Sequence, residues 1–135
     1  MAFQTSDPSS SARPLLDPAR TALSARERIA AFHPETVREV QRALAESTIV
    51  VVGMAQNPHV RNVRNALTQA GFEFKYLEYG SYFSKWKERL AIKLWSGWPT
   101  FPQVFVKGVL IGGEDLTVAA IRDGSLRKMQ ESTAS

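Results

Sequence analysis

From residue 33 onward the hydrophobic positions change period several times, and each change predicts a new element. Apolar residues that recur every three or four positions predict helices, and those that alternate or run on uninterrupted predict strands. The predicted helices are 34–44, 58–70, 83–94 and 116–122, with a last turn over 126–129. The predicted strands are 49–52, 72–76, 104–106 and 109–111.

Three local signals support these elements. The β-branched run from Ile49 to Val52 is typical of a strand buried on both faces. The pair Lys107-Gly108 separates two apolar runs and predicts a two-residue hairpin turn. A capping side chain followed by proline at the first helical position begins a helix at Asn57-Pro58. The apolar spacing that marks the helices is carried by Val37, Val40, Leu44, Val60, Val63, Leu67, Phe83, Trp86, Leu90 and Leu94.

The order of the elements is α, then β-α-β-α-β-β-α, which predicts an α/β fold. A strand–helix–strand unit gives a parallel pair through a right-handed crossover, and the late hairpin adds antiparallel strands. We therefore expect the thioredoxin-like arrangement, a mixed four-stranded sheet with helices on both faces. The predicted domain covers 33–130, after a disordered Ser/Pro-rich arm over 1–16 and a short helix over 17–31, and before a flexible tail over 131–135.

The composition limits the kinds of chemistry that we expect of this protein. The chain has 135 residues, a formal net charge of +4 and no cysteine. Without cysteine it has no disulfides and no thiol redox chemistry of its own, and two histidines make a metal site unexpected. The charge is too small to indicate nucleic acid, and no apolar run reaches membrane-spanning length. We expect a cytoplasmic protein with no nucleic-acid or membrane partner.

The stretch from Trp95 to Gly108, which includes Trp-Pro-Thr-Phe-Pro-Gln over 98–103, is followed by Gly-Gly-Glu-Asp over 112–115. Together these motifs resemble the glutaredoxins, the monothiol branch above all, and the resemblance extends over about 34–129. It implies that Pro102 is a cis proline and that a groove beside it holds glutathione. The ligand-binding residues that the resemblance implies are Asn57, Arg89, Lys93, Thr100, Phe101, Pro102, Gly113, Glu114 and Asp115.

The charges of this set suit a zwitterionic tripeptide. Arg89 and Lys93 lie four apart on one predicted helix face, where like charges repel by a few tenths of a kcal/mol and a bound carboxylate would relieve the repulsion. Asp115 would face the ligand ammonium across the groove.

The sequence departs from the family at its reactive positions. Asn57 stands where an ungapped comparison places the nucleophilic cysteine, and Val60 stands in place of the resolving cysteine. Thiol–disulfide exchange and family-type iron–sulfur cluster binding both need that thiolate, so neither is expected. A helix cap is the favoured role for Asn57, and a ligand-thiolate role for it and the helix N-terminus is the alternative.

Other side chains near the motifs have less specific interpretations. His59 is predicted to be an exposed surface residue rather than a general base, and Arg61 and Arg64 are interpreted as solubilising charges. Tyr79, Tyr82, Phe83 and Trp86 form an aromatic stretch, partly core and partly a candidate partner surface.

We therefore expect a redox-inactive, non-enzymatic binding module that takes glutathione, a related anionic ligand or a protein partner through the groove. The alternatives are a glutathione-dependent transferase that uses bound thiolate at Asn57, and a regulatory scaffold.

Overall fold

The computed structural model of the protein describes residues 12–132. Contacts divide the chain between Phe32 and His33 into two compact units. In the first unit, the Asp17 carboxylate caps a short 3-10 helix at Pro18–Arg20, and helix α1 follows at Leu23–Ala30. The helical segment predicted over 17–31 is therefore divided into two pieces, because extended backbone at Thr21 interrupts it. The predicted arm and tail lie largely outside the described residues.

The second unit is built on a four-stranded sheet in the order β2-β1-β3-β4. Strand β1 pairs in parallel with β2 and antiparallel with β3, and β3 pairs antiparallel with β4. The strands are β1 Ile49–Gly53, β2 Lys75–Glu78, β3 Gln103–Val106 and β4 Val109–Gly112. The helices are α2 Pro34–Glu46, α3 Pro58–Gln69, α4 Trp86–Ser96, α5 Glu114–Arg122 and α6 Ser125–Glu131.

Alternate residues of β1 enter two different hydrophobic clusters, one on each side of the sheet. Val50 and Val52 pack with residues of α2 and α4, among them Val40 and Ile92. Ile49 and Val51 pack with residues of α3, α5 and α6, among them Val63, Leu67, Ala120 and Leu126. A strand buried on both faces needs apolar side chains at every position, which the β-branched run supplies. The predicted mixed sheet with helices on both faces is confirmed.

The hairpin between β3 and β4 also matches its prediction. Lys107 and Gly108 both have positive φ, 51° and 79°, as the two central residues of a type I′ turn require. This turn brings Val109 opposite Val106 and fixes the register of the edge strand.

Two predictions need correction. Strand β2 begins at Lys75, so Phe72 and Phe74 belong to the preceding loop, although Phe72 is buried.

The face of helix α4 that enters the core also differs from the prediction. Phe83 precedes the helix and is 93% exposed, and Trp86 and Leu94 are 58% and 65% exposed. The buried positions of α4 are Arg89, Ala91 and Ile92. Spacing misidentified this face because its inward residues include a charged side chain.

Within residues 12–132, no helix combines the length and the apolar character needed to cross a membrane.

Candidate ligand groove

Two adjoining clefts lie beside the segment that leads into β3. The first, about 500 Å³, has Trp98 and residues 100–102 on one side and residues 113–116 on the other. The second, about 310 Å³, extends toward the start of α3 and the inner side of α4. His59, Thr100 and Phe101 line both clefts. The structure places all nine predicted ligand-binding residues along this pair of clefts, which we call the groove.

The floor of the groove is the segment around Pro102. The Phe101–Pro102 peptide bond is cis, as the resemblance implies, and both residues are buried. Behind them, the fully buried Gln103 donates from Nε2 to the carbonyl oxygen of Trp98 over 3.0 Å. This bond ties the start of β3 to the preceding turn and holds the floor in a fixed shape.

Asn57 caps helix α3. Its Oδ1 accepts hydrogen bonds from the backbone amides of His59 at 2.9 Å and Val60 at 3.2 Å. Pro58 occupies the first helical position, where an amide hydrogen is not needed. Val60 is only 2% exposed and packs in the core. The cap interpretation of Asn57 agrees with this geometry. Two amides that the ligand-thiolate alternative would use are already paired.

The two basic residues predicted for the groove have different surroundings in the structure. Arg89 is 8% exposed and donates from Nη1 to the carbonyl oxygens of Tyr79 at 2.8 Å and Ser84 at 2.6 Å. The arginine therefore anchors the loop before α4, and its charge is partly offset by two carbonyl dipoles. Lys93 is half-buried, with Nζ 5.8 Å from the centroid of the Phe101 ring. The two cations of the groove are therefore held in different ways.

The acidic end of the groove lies at the start of α5. Glu114 Oε1 is 2.6 Å from His59 Nδ1, and its Oε2 accepts from Asn62 Nδ2 at 2.9 Å. The hydrogen bond with His59 is the main reason that the pKa of Glu114 lies below its ordinary value. Both oxygens of the Glu114 carboxylate therefore have partners within the protein, whereas the neighbouring Asp115 is exposed.

His59 is a groove residue whose position the sequence did not reveal. Its side chain is 66% exposed, which agrees with the predicted surface position, but it also joins α3 to the start of α5. Its partner Glu114 is 55 residues away, so no local pattern could indicate the pair. Arg64, interpreted from the sequence as a solubilising charge, stacks on Tyr76 with its guanidinium carbon 3.8 Å from the ring centroid.

Comparison with known proteins finds similar sequences in one family. The glutaredoxin family model matches residues 49–111. A glutaredoxin-like protein of Dictyostelium discoideum is 52% identical over 95 residues, which are 70% of this chain and 77% of that protein. The chain belongs to the glutaredoxin family. An uncharacterized monothiol glutaredoxin of Synechocystis is 30% identical over 105 residues, 74% of this chain and 95% of that protein.

Solved glutaredoxins share the fold. Oxidized glutaredoxin 2 from Chlamydomonas reinhardtii is 28% identical, with a TM-score of 0.62, and the match covers 71% of this chain and 91% of that one. A buckwheat glutaredoxin–glutathione complex is 24% identical, with a TM-score of 0.65, and the match covers 77% of this chain and 91% of that one. This glutaredoxin contains no cysteine. The predicted family and the thioredoxin-like fold are both confirmed.

Proposed function

We propose that this glutaredoxin is a binding protein that takes glutathione, or a related γ-glutamyl ligand, in the groove and performs no thiol–disulfide exchange with its own side chains. The observation that carries the proposal is the arrangement of the two clefts. They meet at His59, Thr100 and Phe101, with Lys93 lining one cleft and Asp115 the other. An extended zwitterionic ligand that crosses both clefts would bring its anionic end to Lys93 and its cationic end to Asp115.

Glutathione has the matching chemistry. It carries a carboxylate at its glycyl end and both an ammonium and a carboxylate at its γ-glutamyl end. The glycyl carboxylate would pair with Lys93, and the ammonium with Asp115, in hydrogen bonds strengthened by charge. The half-buried Trp98 and the buried Phe101 give the groove the apolar lining that small-ligand sites have. Glutathione is also the ligand named for the buckwheat protein of the same fold.

We expect no thiol–disulfide exchange because of the residues at the two positions where the family has cysteine. Thiol–disulfide exchange requires attack by a thiolate, and this chain has none. Asn57 uses its side-chain oxygen to cap α3, and an amide is neither a nucleophile nor a base at neutral pH. Bound glutathione would therefore be held rather than joined to the protein through a disulfide.

A glutathione titration followed by backbone NMR tests the proposal. We expect saturable shifts in residues 98–102 and 113–116. We also expect affinity to fall about tenfold in Lys93→Gln, since loss of one charge-assisted contact costs about 1.4 kcal/mol. Lys87→Gln is the matched control, because Lys87 lies on the same helix, is exposed and does not line the groove. No shifts at roughly millimolar ligand would overturn the proposal, as would equal losses in the two variants.

A further inference from the structure

His59 and Glu114 form a bonded pair across the groove. The pair joins the first turn of α3 to the first turn of α5, with 2.6 Å between Nδ1 and Oε1. Asn62 holds the second carboxylate oxygen at 2.9 Å, so the glutamate is oriented by two partners. Because His59 lines both clefts, any ligand that spans the groove must pass its imidazole ring.

The pairing determines which ring nitrogen carries the proton. An ionised carboxylate can only accept hydrogen bonds, so Nδ1 is the protonated nitrogen of the neutral imidazole. The pKa of Glu114 lies below its ordinary value because of this bond, which agrees with an ionised partner. The other ring nitrogen, Nε2, then has a lone pair and can accept a proton. A carboxylate that orients a histidine and stabilises its protonated form is a recurring arrangement in catalytic sites.

We propose that His59, positioned by Glu114, takes the proton from the thiol of glutathione bound in the groove and thereby activates that thiol toward a soft electrophile. This inference rests on the proposed function and deepens it, because the protein supplies the base and the ligand supplies the sulfur. The electrophile is an α,β-unsaturated carbonyl compound, whose reaction with a thiol needs no oxidant or reductant.

The reaction balances as an addition. His59 Nε2 accepts the thiol proton, leaving a thiolate beside an imidazolium whose Nδ1 still donates to Glu114. The thiolate forms a sulfur–carbon bond at the β-carbon, and the electron pair of the carbon–carbon double bond moves to give an enolate. The imidazolium then gives its Nε2 proton to the α-carbon of the enolate, which returns His59 to its neutral form. No group leaves and no electrons are gained overall.

Some of the surrounding charges stabilise the thiolate and others destabilise it. On the α4 side, Lys93 and the buried Arg89 line the second cleft and favour an anion. On the α5 side, Glu114 and Asp115 disfavour one, although the charge of Glu114 is partly offset by its two partners. The imidazolium formed by the transfer is the cation that lies between the two sides, and it would pair directly with the sulfur.

The test measures the ionisation of bound glutathione by the ultraviolet absorption of its thiolate, titrated over pH with the full chain. We expect the thiol pKa to fall from about 8.5 in solution by at least about one unit on the protein. In His59→Gln the pKa should return to its solution value, and addition to an unsaturated ketone should slow by about a hundredfold. His33→Asn, a change of the other histidine that suits its left-handed backbone, should leave both quantities unchanged.

Glu114→Gln separates positioning from simple structural support. The amide that replaces the carboxylate could still bond the ring but would not stabilise its protonated form, so the pH profile of the addition should shift. A lower rate with the profile unmoved would overturn the positioning role. A bound thiol that keeps its solution pKa, or one whose lowered pKa survives His59→Gln, would overturn the whole inference.

Binding of S-methylglutathione distinguishes failure of this inference from failure of the proposed function. The methylated ligand has no thiol proton, so His59→Gln should bind it about as well as the unaltered protein does. Binding of both ligands with no thiolate would overturn the base role alone. Binding of neither ligand would overturn both proposals.

Discussion

The guanidinium of Arg89 donates a 2.8 Å hydrogen bond from Nη1 to the backbone carbonyl oxygen of Tyr79. The same nitrogen reaches the carbonyl oxygen of Ser84 at 2.6 Å, so one buried cation closes the loop between β2 and α4. Lys93 lines the same cleft one helical turn later, and no such backbone bond is seen for it among the described residues. Arg89 therefore holds the loop in place, whereas Lys93 does not.

We expect Arg89→Met to lower the free energy of unfolding by about 3 kcal/mol, because it removes charge-assisted bonds and leaves a buried carbonyl without its donor. Lys93→Met is the matched variant and should change stability by less than about 0.5 kcal/mol. Urea unfolding monitored by tryptophan fluorescence measures both. Similar stabilities for the two variants would contradict the anchoring role of Arg89.

The cap at Asn57 gives a second stability prediction. Asn57→Ala leaves the amides of His59 and Val60 without their acceptor and should cost about 1 kcal/mol. Asn57→Ser keeps a side-chain oxygen at the cap and should cost only a few tenths of a kcal/mol. Thermal unfolding of the two variants measures the difference. Equal losses would show that Asn57 contributes through something other than its cap.

A cysteine at the cap position should regain reactivity toward glutathione. In Asn57→Cys the freed amides of the first turn of α3 would stabilise a thiolate and lower the thiol pKa below about 8.5. We expect this variant to form a mixed disulfide with oxidised glutathione, detectable by mass spectrometry, and to regain some glutathione-dependent reduction. Val60→Cys is the control, because that position is 2% exposed and its thiol should react far more slowly. Equal rates in the two variants would show that the groove has diverged in function.

Local patterns predicted most of the sheet and the start of helix α3. The β-branched run of β1, the two-residue turn at Lys107-Gly108 and the Asn57-Pro58 helix start depend on residues next to one another. Such signals can be recognised in a sequence because their physical causes, side-chain branching and backbone torsion, are local. The groove residues around Pro102 were indicated by the resemblance to the glutaredoxins.

Features that depend on tertiary contacts were missed or misassigned. The bond between His59 and Glu114 exists because the fold brings two helix starts together across 55 residues of sequence. The orientation of α4 was misjudged because a buried arginine looks like a surface residue until its carbonyl partners are known. In both cases a charged side chain acts through a distant or backbone partner, which hydrophobic spacing does not record.

Acid should remove the contribution of Glu114 to stability. Its pKa is lower in the folded protein than the ordinary value of 4.5, mainly because of the bond with His59, so folding favours the ionised form. This stability is fully present above the unfolded pKa and is lost as pH falls through the lower folded pKa. We therefore expect Glu114→Gln to be less stable than the unaltered protein at about pH 6, with the difference shrinking below about pH 4.5. Urea unfolding across this range measures the difference, and a gap that widens in acid would contradict the assignment.

The final prediction concerns the orientation of helix α4, because the sequence and the structure place different residues of this helix in the core. Ile92 is fully buried in the same hydrophobic cluster as Val40 and Val52, so Ile92→Ala should cost about 2–5 kcal/mol through lost packing and the cavity left behind. Leu94 is 65% exposed on the same helix, and Leu94→Ala should cost less than about 0.5 kcal/mol. Both substitutions shorten an aliphatic side chain to alanine, so helix propensity affects them similarly and burial decides the difference. Chemical unfolding measures it, and a larger loss from Leu94→Ala would mean that the helix presents the opposite face to the core.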